Sequence, residues 1–158
     1  MSCARILVAT MLMLAISANA GRAGEAANAN LDILLDTIRA NKKALVAANL
    51  TLSDEEAARF WPLYDKYQTD MSAVQDRTVK VIQDYAASFA DLSNEKAMAL
   101  ANDWLSAEGD RVKVRRDYLP EFAKVLPGKK VVRFYQIENK MDAVLRYELA
   151  SHIPVVEQ

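Results

Sequence analysis

The chain has 158 residues, 52% of them hydrophobic and 26% charged, which is enough for one domain with a modest core. Glycine and proline occur only four times each, so the composition favours helices over a strand-rich or loop-rich fold. The 20 basic and 21 acidic residues nearly cancel, and the overall charge therefore indicates no particular partner.

The first 20 residues have the three parts of a signal peptide. Arg5 supplies the positive charge, residues 6–16 are the apolar run, and Ala18-Asn19-Ala20 is a small-residue cleavage pattern. A run of roughly 11 apolar residues is too short to cross a bilayer as a stable helix. We expect cleavage before Gly21, location in the periplasm and no stable membrane insertion afterwards. An uncleaved membrane anchor is the alternative.

The mature chain is predicted to hold one helical domain. Residues 21–30 are small and polar without periodicity, which indicates a flexible N-terminal arm. Residues 31–153 are expected to form a single α-helical domain, and residues 154–158 a C-terminal tail. The first helix is expected at about 31–48, because leucine and isoleucine recur on one face.

The second helix, expected from about Ser53 to Phe89, organises the rest. Ser53 and Glu56 have the spacing of a capping box, in which each side chain bonds to the other residue's amide. Large residues then recur at alternating steps of four and three, as in a helix that packs lengthwise. Among them is an aromatic group that we interpret as core or as a dimer interface: Phe60, Trp61, Tyr64 and Tyr67.

A third helix is expected at about 94–125 and a fourth at about 129–151. The two long central helices are joined by a short connection, so they should form an antiparallel hairpin. Pro62 and Pro120 lie near the same end of that hairpin and should kink both arms, giving an all-α, four-helix fold with a curved layer. The seam of the third helix is expected at Ala101, Leu105, Val112, Leu119, Phe122 and Leu126.

Two helix starts look alike. One is Leu52-Ser53-x-x-Glu56, followed by Arg59-Phe60, and the other is Leu126-Pro127-x-x-Lys130, followed by Arg133-Phe134. With a signal peptide and about 140 mature residues in four helices, the chain resembles the Spy/CpxP family of periplasmic proteins, whose signature is L-T-x-x-Q. The second copy departs from that signature at both polar positions. The resemblance implies a curved, mostly helical homodimer that acts as a stress-response chaperone, a sensor-kinase accessory or a metal-responsive protein.

Residues that carry catalytic or metal chemistry are scarce. His152 is the only histidine, and Ser151 and Glu148 beside it do not complete a triad or a metal site. Glu-x-x-His pairs and glycine-rich phosphate loops are absent from the sequence. We therefore predict no catalytic residue, no cofactor and no metal site, and we interpret the protein as a non-enzyme.

Basic residues concentrate in one stretch, because residues 111–133 carry eight basic and two acidic side chains. At 100° per residue, several of its side chains and one nearby tryptophan share one side of the third helix. These candidate partner-binding residues are Trp104, Arg111, Arg115, Arg116 and Tyr118. One interpretation pairs the arginines with acids on the preceding helix, such as Asp70, Asp76 or Asp84, or with Glu108 on the same helix. The other is an exposed arginine–aromatic surface that holds extended, partly apolar polypeptide segments.

The sequence thus predicts an exported, ATP-independent chaperone-like protein that holds unfolded or stress-exposed polypeptides. The alternative is a regulatory accessory protein that docks on the periplasmic domain of an envelope-stress or metal-stress sensor kinase. We expect a homodimer and no nucleic-acid partner, because an exported acidic chain rarely meets nucleic acid.

Overall fold

The computed structural model describes Thr37 and residues 41–156, apart from the side chain of His152. The predicted signal peptide, the N-terminal arm and half of the predicted first helix lie outside the described residues. The chain divides after Ala40, so everything below except Thr37 belongs to the unit that begins at Asn41.

The described residues confirm the all-α prediction. Helix α1 covers residues 41–49, α2 runs Asp54–Ser88, α3 runs Asn94–Val125 and α4 runs Gly128–His152. A short 3₁₀ turn, Phe89–Asp91, follows α2, and no strand occurs in residues 41–156. Both long helices continue through their prolines, Pro62 in α2 and Pro120 in α3.

Side-chain caps define where the two central helices begin. The Ser53 amide donates to the Glu56 carboxylate at 2.8 Å, and the Glu56 amide donates to the Ser53 hydroxyl at 3.2 Å. This confirms the predicted capping box, which satisfies amides that have no partner inside the helix. Ser93 caps α3 in the same way, because its hydroxyl accepts from the Lys96 amide at 3.2 Å.

Contacts along the helices give their directions. Tyr67 of α2 packs against Tyr118 of α3 with ring centroids 5.4 Å apart, and Arg77 pairs with Asp110 at 2.7 Å. As numbers rise on α2 they fall on α3, which is the predicted antiparallel hairpin. Helix α4 runs in the direction of α2, since it begins near the start of α2 and its last residues lie near Tyr85.

An aromatic core lies at one end of the hairpin. Phe122 of α3 and Phe134 of α4 have ring centroids 4.6 Å apart, and the aromatic residues of α2 pack around them. Phe60, Tyr64 and Tyr67 are each at most 1% exposed within one chain. Side chains with no free surface cannot contact a second copy, so the dimer-interface interpretation of these three residues is wrong and the core interpretation holds. Trp61 is partly buried on the same core.

The two similar helix starts lie side by side on this core. Leu126 is buried, Leu52 packs against the core, and Phe60 meets Phe134 with centroids 5.4 Å apart. The last polar positions of the two motifs bond to each other, because the Lys130 ammonium donates to the Glu56 carboxylate at 2.5 Å. Lysine at the second motif therefore joins the two helix starts with an ion pair.

The buried face of α3 differs from the predicted one. Its buried residues are Leu100, Ala107, Arg111 and Phe122. Leu105, Val112 and Leu119, predicted as seam residues, are between 47% and 70% exposed, and Ala101, predicted with them, is exposed as well. The seam prediction is wrong for these four residues, because the side of α3 that faces α4 carries Arg111 and Arg115.

Candidate apolar binding groove

The predicted arginine–aromatic surface is replaced by a buried ion cluster. Arg111 is only 8% exposed and lies 3.4 Å from Glu108 and 4.0 Å from Asp142. The Arg115 guanidinium donates to the same Asp142 carboxylate. The prediction that both arginines face solvent is therefore wrong, and the alternative with acidic partners describes their position.

One acidic partner was predicted and another was not. Glu108, which the sequence indicated, pairs with Arg111. Asp70 accepts instead from Tyr118 at 2.7 Å, and Asp84 pairs with Lys80. The decisive acid, Asp142, lies on α4, a helix that follows α3 in sequence and runs antiparallel to it.

The cluster continues through a second buried carboxylate to α1 and α2. Glu138, which is fully buried, accepts from the Lys42 ammonium at 3.3 Å, the Tyr67 hydroxyl at 3.4 Å and the Gln68 amide at 3.2 Å. Lys42 also lies 3.4 Å from Asp142. Lys42 therefore links the two carboxylates, and through them all four helices share one polar network.

Burial and neighbouring charges set the ionisation of this network. Burial lowers the pKa of Arg111, and the nearby Arg146 adds to that effect. Burial also opposes the charge on Arg115, but Asp142, Tyr67 and Glu138 together outweigh burial, and the pKa of Arg115 is raised. Burial raises the pKa of the Tyr67 hydroxyl, and Glu138 raises it further, which keeps this phenol a neutral donor. Both arginines therefore carry positive charge toward Asp142, and Tyr67 donates a neutral hydrogen bond to Glu138.

The five predicted binding residues do not share one surface. Arg111 and Arg115 belong to the ion cluster, Tyr118 packs on the core beside Asp70, and Arg116 is exposed. Trp104, 37% exposed, lies further toward the start of α3. Trp104 lines an open groove.

That site is an apolar groove of about 260 Å³ where the hairpin turns, opposite the aromatic core. Side chains from the end of α2, the start of α3 and the segment after α4 form it. They are Val81, Ile82, Tyr85, Leu92, Ala97, Leu100, Ala101, Trp104, Ile153 and Val156. Two alanines of α3, Ala97 and Ala101, lie in its wall among larger apolar side chains.

The residues after α4 cross the groove. Helix α4 ends at His152, and Ile153 has extended backbone (φ −95°, ψ 115°), as expected for a residue before proline. The Tyr85 hydroxyl donates to the Pro154 carbonyl at 2.7 Å, which fixes this segment against α2. Ile153 and Val156 therefore face the apolar walls.

A second apolar feature lies on another face of α3. Met98, Leu105, Val112 and Leu119 recur at seven-residue intervals and are between 47% and 71% exposed. We call these four residues the α3 row. A heptad of this kind is typical of a helix seam, but none of the four is buried in the described chain.

Sequence reasoning found Trp104 but missed the rest of the groove. Two signals were available: the α2 seam continues to Val81 and Tyr85, and the segment Ile153–Val156 is apolar although it follows the last helix. Neither signal shows that the two segments meet, because that contact joins residues about 70 positions apart.

Within residues 41–156, no group of three or more acidic, histidine or cysteine side chains could hold a metal ion. In the same part of the chain, no helix is both long and apolar enough to span a membrane. No protein-family model, no curated protein and no solved structure matches this chain.

Proposed function

We propose that this chain is an exported periplasmic binding protein without catalytic chemistry, which holds apolar segments of unfolded or stress-exposed polypeptides without ATP. The apolar groove carries this proposal, because it is open, lined by apolar side chains and flanked by the partly exposed Trp104. Exposed concave apolar surface of this kind marks interaction sites in soluble proteins.

The size of the groove fits weak and reversible binding. A volume of about 260 Å³ accommodates only a few side chains. Burial of one leucine-sized or valine-sized side chain contributes about 1.5–3 kcal/mol, while a millimolar Kd already requires about 4 kcal/mol. Two or three apolar contacts therefore suffice for a complex that forms and dissociates without an energy source.

Recognition at the groove is apolar and not ionic. The two arginines that would have attracted acidic segments are held in the ion cluster by Asp142. Salt screens exposed charges but leaves apolar burial intact. We therefore expect the suppression of polypeptide aggregation to be unchanged between low and physiological ionic strength.

One matched pair of variants tests the function. Ala101→Glu places a charged side chain in the wall of the groove, whereas Ala99→Glu places the same side chain at an exposed position of α3 outside it. With reduced, unfolded α-lactalbumin as the bound polypeptide, we expect light-scattering suppression by the parent chain and by Ala99→Glu, and its loss in Ala101→Glu. Equal suppression of aggregation by both variants would show that the groove does not bind the unfolded polypeptide.

Export is a separate part of the proposal. The intact mass of protein recovered from the periplasm should correspond to a chain that begins at Gly21. Full-length chain in the membrane fraction would contradict it.

For the homodimer we propose the α3 row as the interface. An antiparallel pair centred near Gly109 sets Met98 against Leu119 of the partner subunit, and Leu105 against Val112 of the partner subunit. Glycine inside a helix costs about 1 kcal/mol relative to alanine. Nothing lies within 4 Å of a β-carbon built at Gly109, so nothing in the described chain requires glycine there. Close approach of a second helix would require it.

A further inference from the structure

The segment after α4 packs along the hairpin and forms one side of the groove, in the place that an extended peptide would take. Ile153 and Val156 line the groove; Val156 is 51% exposed, and Val155 between them is 87% exposed. Contacts that recur three residues apart match the three-residue turn of a polyproline II helix, the conformation that proline favours. The chain therefore presents apolar–Pro–x–apolar to its own groove.

A backbone hydrogen bond accompanies these two apolar contacts. The Tyr85 hydroxyl lies at the groove wall and donates to the Pro154 carbonyl at 2.7 Å. Any segment with the same spacing offers a carbonyl at this position. The hydroxyl thus adds a directional contact that selects extended backbone, which an apolar wall alone does not.

From this geometry we infer that the groove binds extended apolar–Pro–x–apolar segments of other polypeptides, and that residues 153–156 of the chain compete with them for it. This inference rests on the proposed function and specifies its ligand. The competing segment is joined directly to α4, so its effective concentration at the groove is in the millimolar range, as for short tethers.

Competition of this kind raises the apparent Kd for an outside segment, which equals the intrinsic Kd divided by the fraction of chains whose groove is free. The exposed Val155 and the short contact length indicate a segment that leaves readily. If the groove is free in roughly one chain in ten to one in three, deleting the segment should tighten binding by roughly 3-fold to 10-fold.

The test uses a fluorescent peptide with the sequence Ala-Ile-Pro-Val-Val-Glu-Gln, blocked at both ends, and measures its anisotropy with the mature chain. The comparison is a chain that ends at His152. Tyr85→Phe provides a second variant, because it keeps the aromatic wall and removes only the hydroxyl donor. A control peptide carries serine at the two positions that correspond to Ile153 and Val156.

We expect the shortened chain to bind the peptide 3-fold to 10-fold more tightly than the full mature chain. Tyr85→Phe should lose the preference for extended peptide over an apolar dye such as bis-ANS, and the serine peptide should not bind. Equal affinity of the full and shortened chains for the peptide would overturn the inference, as would equal binding of the serine peptide.

The same experiment distinguishes failure of this ligand assignment from failure of the proposed polypeptide-holding function. If neither chain binds the peptide but the full mature chain binds bis-ANS and holds unfolded α-lactalbumin in a manner sensitive to Ala101→Glu, the ligand assignment fails and the proposed function stands. If Ala101→Glu changes none of these measurements, the groove has no binding role and both fail. A melting temperature for each variant verifies that the fold persists.

Discussion

The buried arginines make the sharpest stability prediction. The double change Arg111→Gln and Arg115→Gln removes both guanidinium groups that face Asp142. Asp142, only 5% exposed, would keep Lys42 at 3.4 Å, a cation that it already shares with Glu138. The buried negative charge of Asp142 would then be balanced only by Lys42, which also balances Glu138.

The magnitude follows from that geometry. Removing one side of a buried ion pair costs about 3–5 kcal/mol. Lys42 remains and the Arg115 side chain keeps 23% of its exposure, so the lower end of this range applies, about 3 kcal/mol. For a domain of this size, 1 kcal/mol shifts the melting temperature by roughly 3–5 °C, so the expected decrease is about 9–15 °C.

Circular dichroism at 222 nm measures the melt, and the α-lactalbumin assay measures binding below it. Arg116→Gln is the matched control, because Arg116 is exposed on the same helix and should shift stability by less than about 0.5 kcal/mol. Adding Asp142→Asn to the double variant should restore part of the loss, since it removes the uncompensated charge. An unchanged melting temperature with weakened suppression of aggregation would refute this reasoning and restore an exposed arginine surface.

Three further predictions concern other contacts. The hydrogen bond from Lys130 lowers the pKa of Glu56 in the folded chain. The ion pair therefore stabilises the fold above the pKa that Glu56 has in the unfolded chain, and this stabilisation is lost as the pH falls through the pKa of Glu56 in the folded chain. Lys130→Met should accordingly lower the melting temperature more at pH 7 than at pH 3. Phe122→Ala should destabilise by about 3–5 kcal/mol in a urea titration, since Phe122 is fully buried among aromatic rings, and a cost below 1 kcal/mol would contradict that packing. Leu105→Glu with Val112→Glu should convert a dimer to a monomer in light scattering at an unchanged melting temperature, because both positions are exposed, and a parent chain that is already monomeric would contradict the interface.

Local features of the fold were predictable from the sequence. The capping box at Ser53 depends on residues three positions apart, and the hairpin depends on a short connection between two long periodic segments. The aromatic residues of α2 were recognisable as a seam for the same reason. Each of these signals lies within a few turns of chain, where spacing fixes geometry.

The site was less predictable because it depends on the rotation of α3 about its axis. The heptad of Leu105, Val112 and Leu119 predicted a buried seam, since apolar residues at that spacing usually face a core. In the structure, Arg111 and Arg115 take the inward position because Asp142 of α4 meets them there. A contact between two helix faces depends on side chains of both helices, and the periodicity of one helix does not contain it.

That rotation connects the ion cluster to the surfaces that remain free for partners. The α3 row and the buried face of α3 are separated by about a third of a turn, so α3 cannot bury both. Asp142 pairs with the two arginines and so keeps their face of α3 buried, and the α3 row stays exposed as a consequence. Replacing Arg111, Arg115 and Asp142 together with leucine removes the ion pairs at little cost in stability, since apolar residues often replace buried ion pairs without loss. The three leucines can pack against one another at the same buried place, so we expect the triple variant to remain helical in circular dichroism, to keep the row exposed and to self-associate in light scattering as the parent chain does. If self-association is lost and Leu105→Cys in this variant is protected from a thiol reagent, burial of that face does not orient α3, and the ion pairs themselves are required to keep the row at the surface.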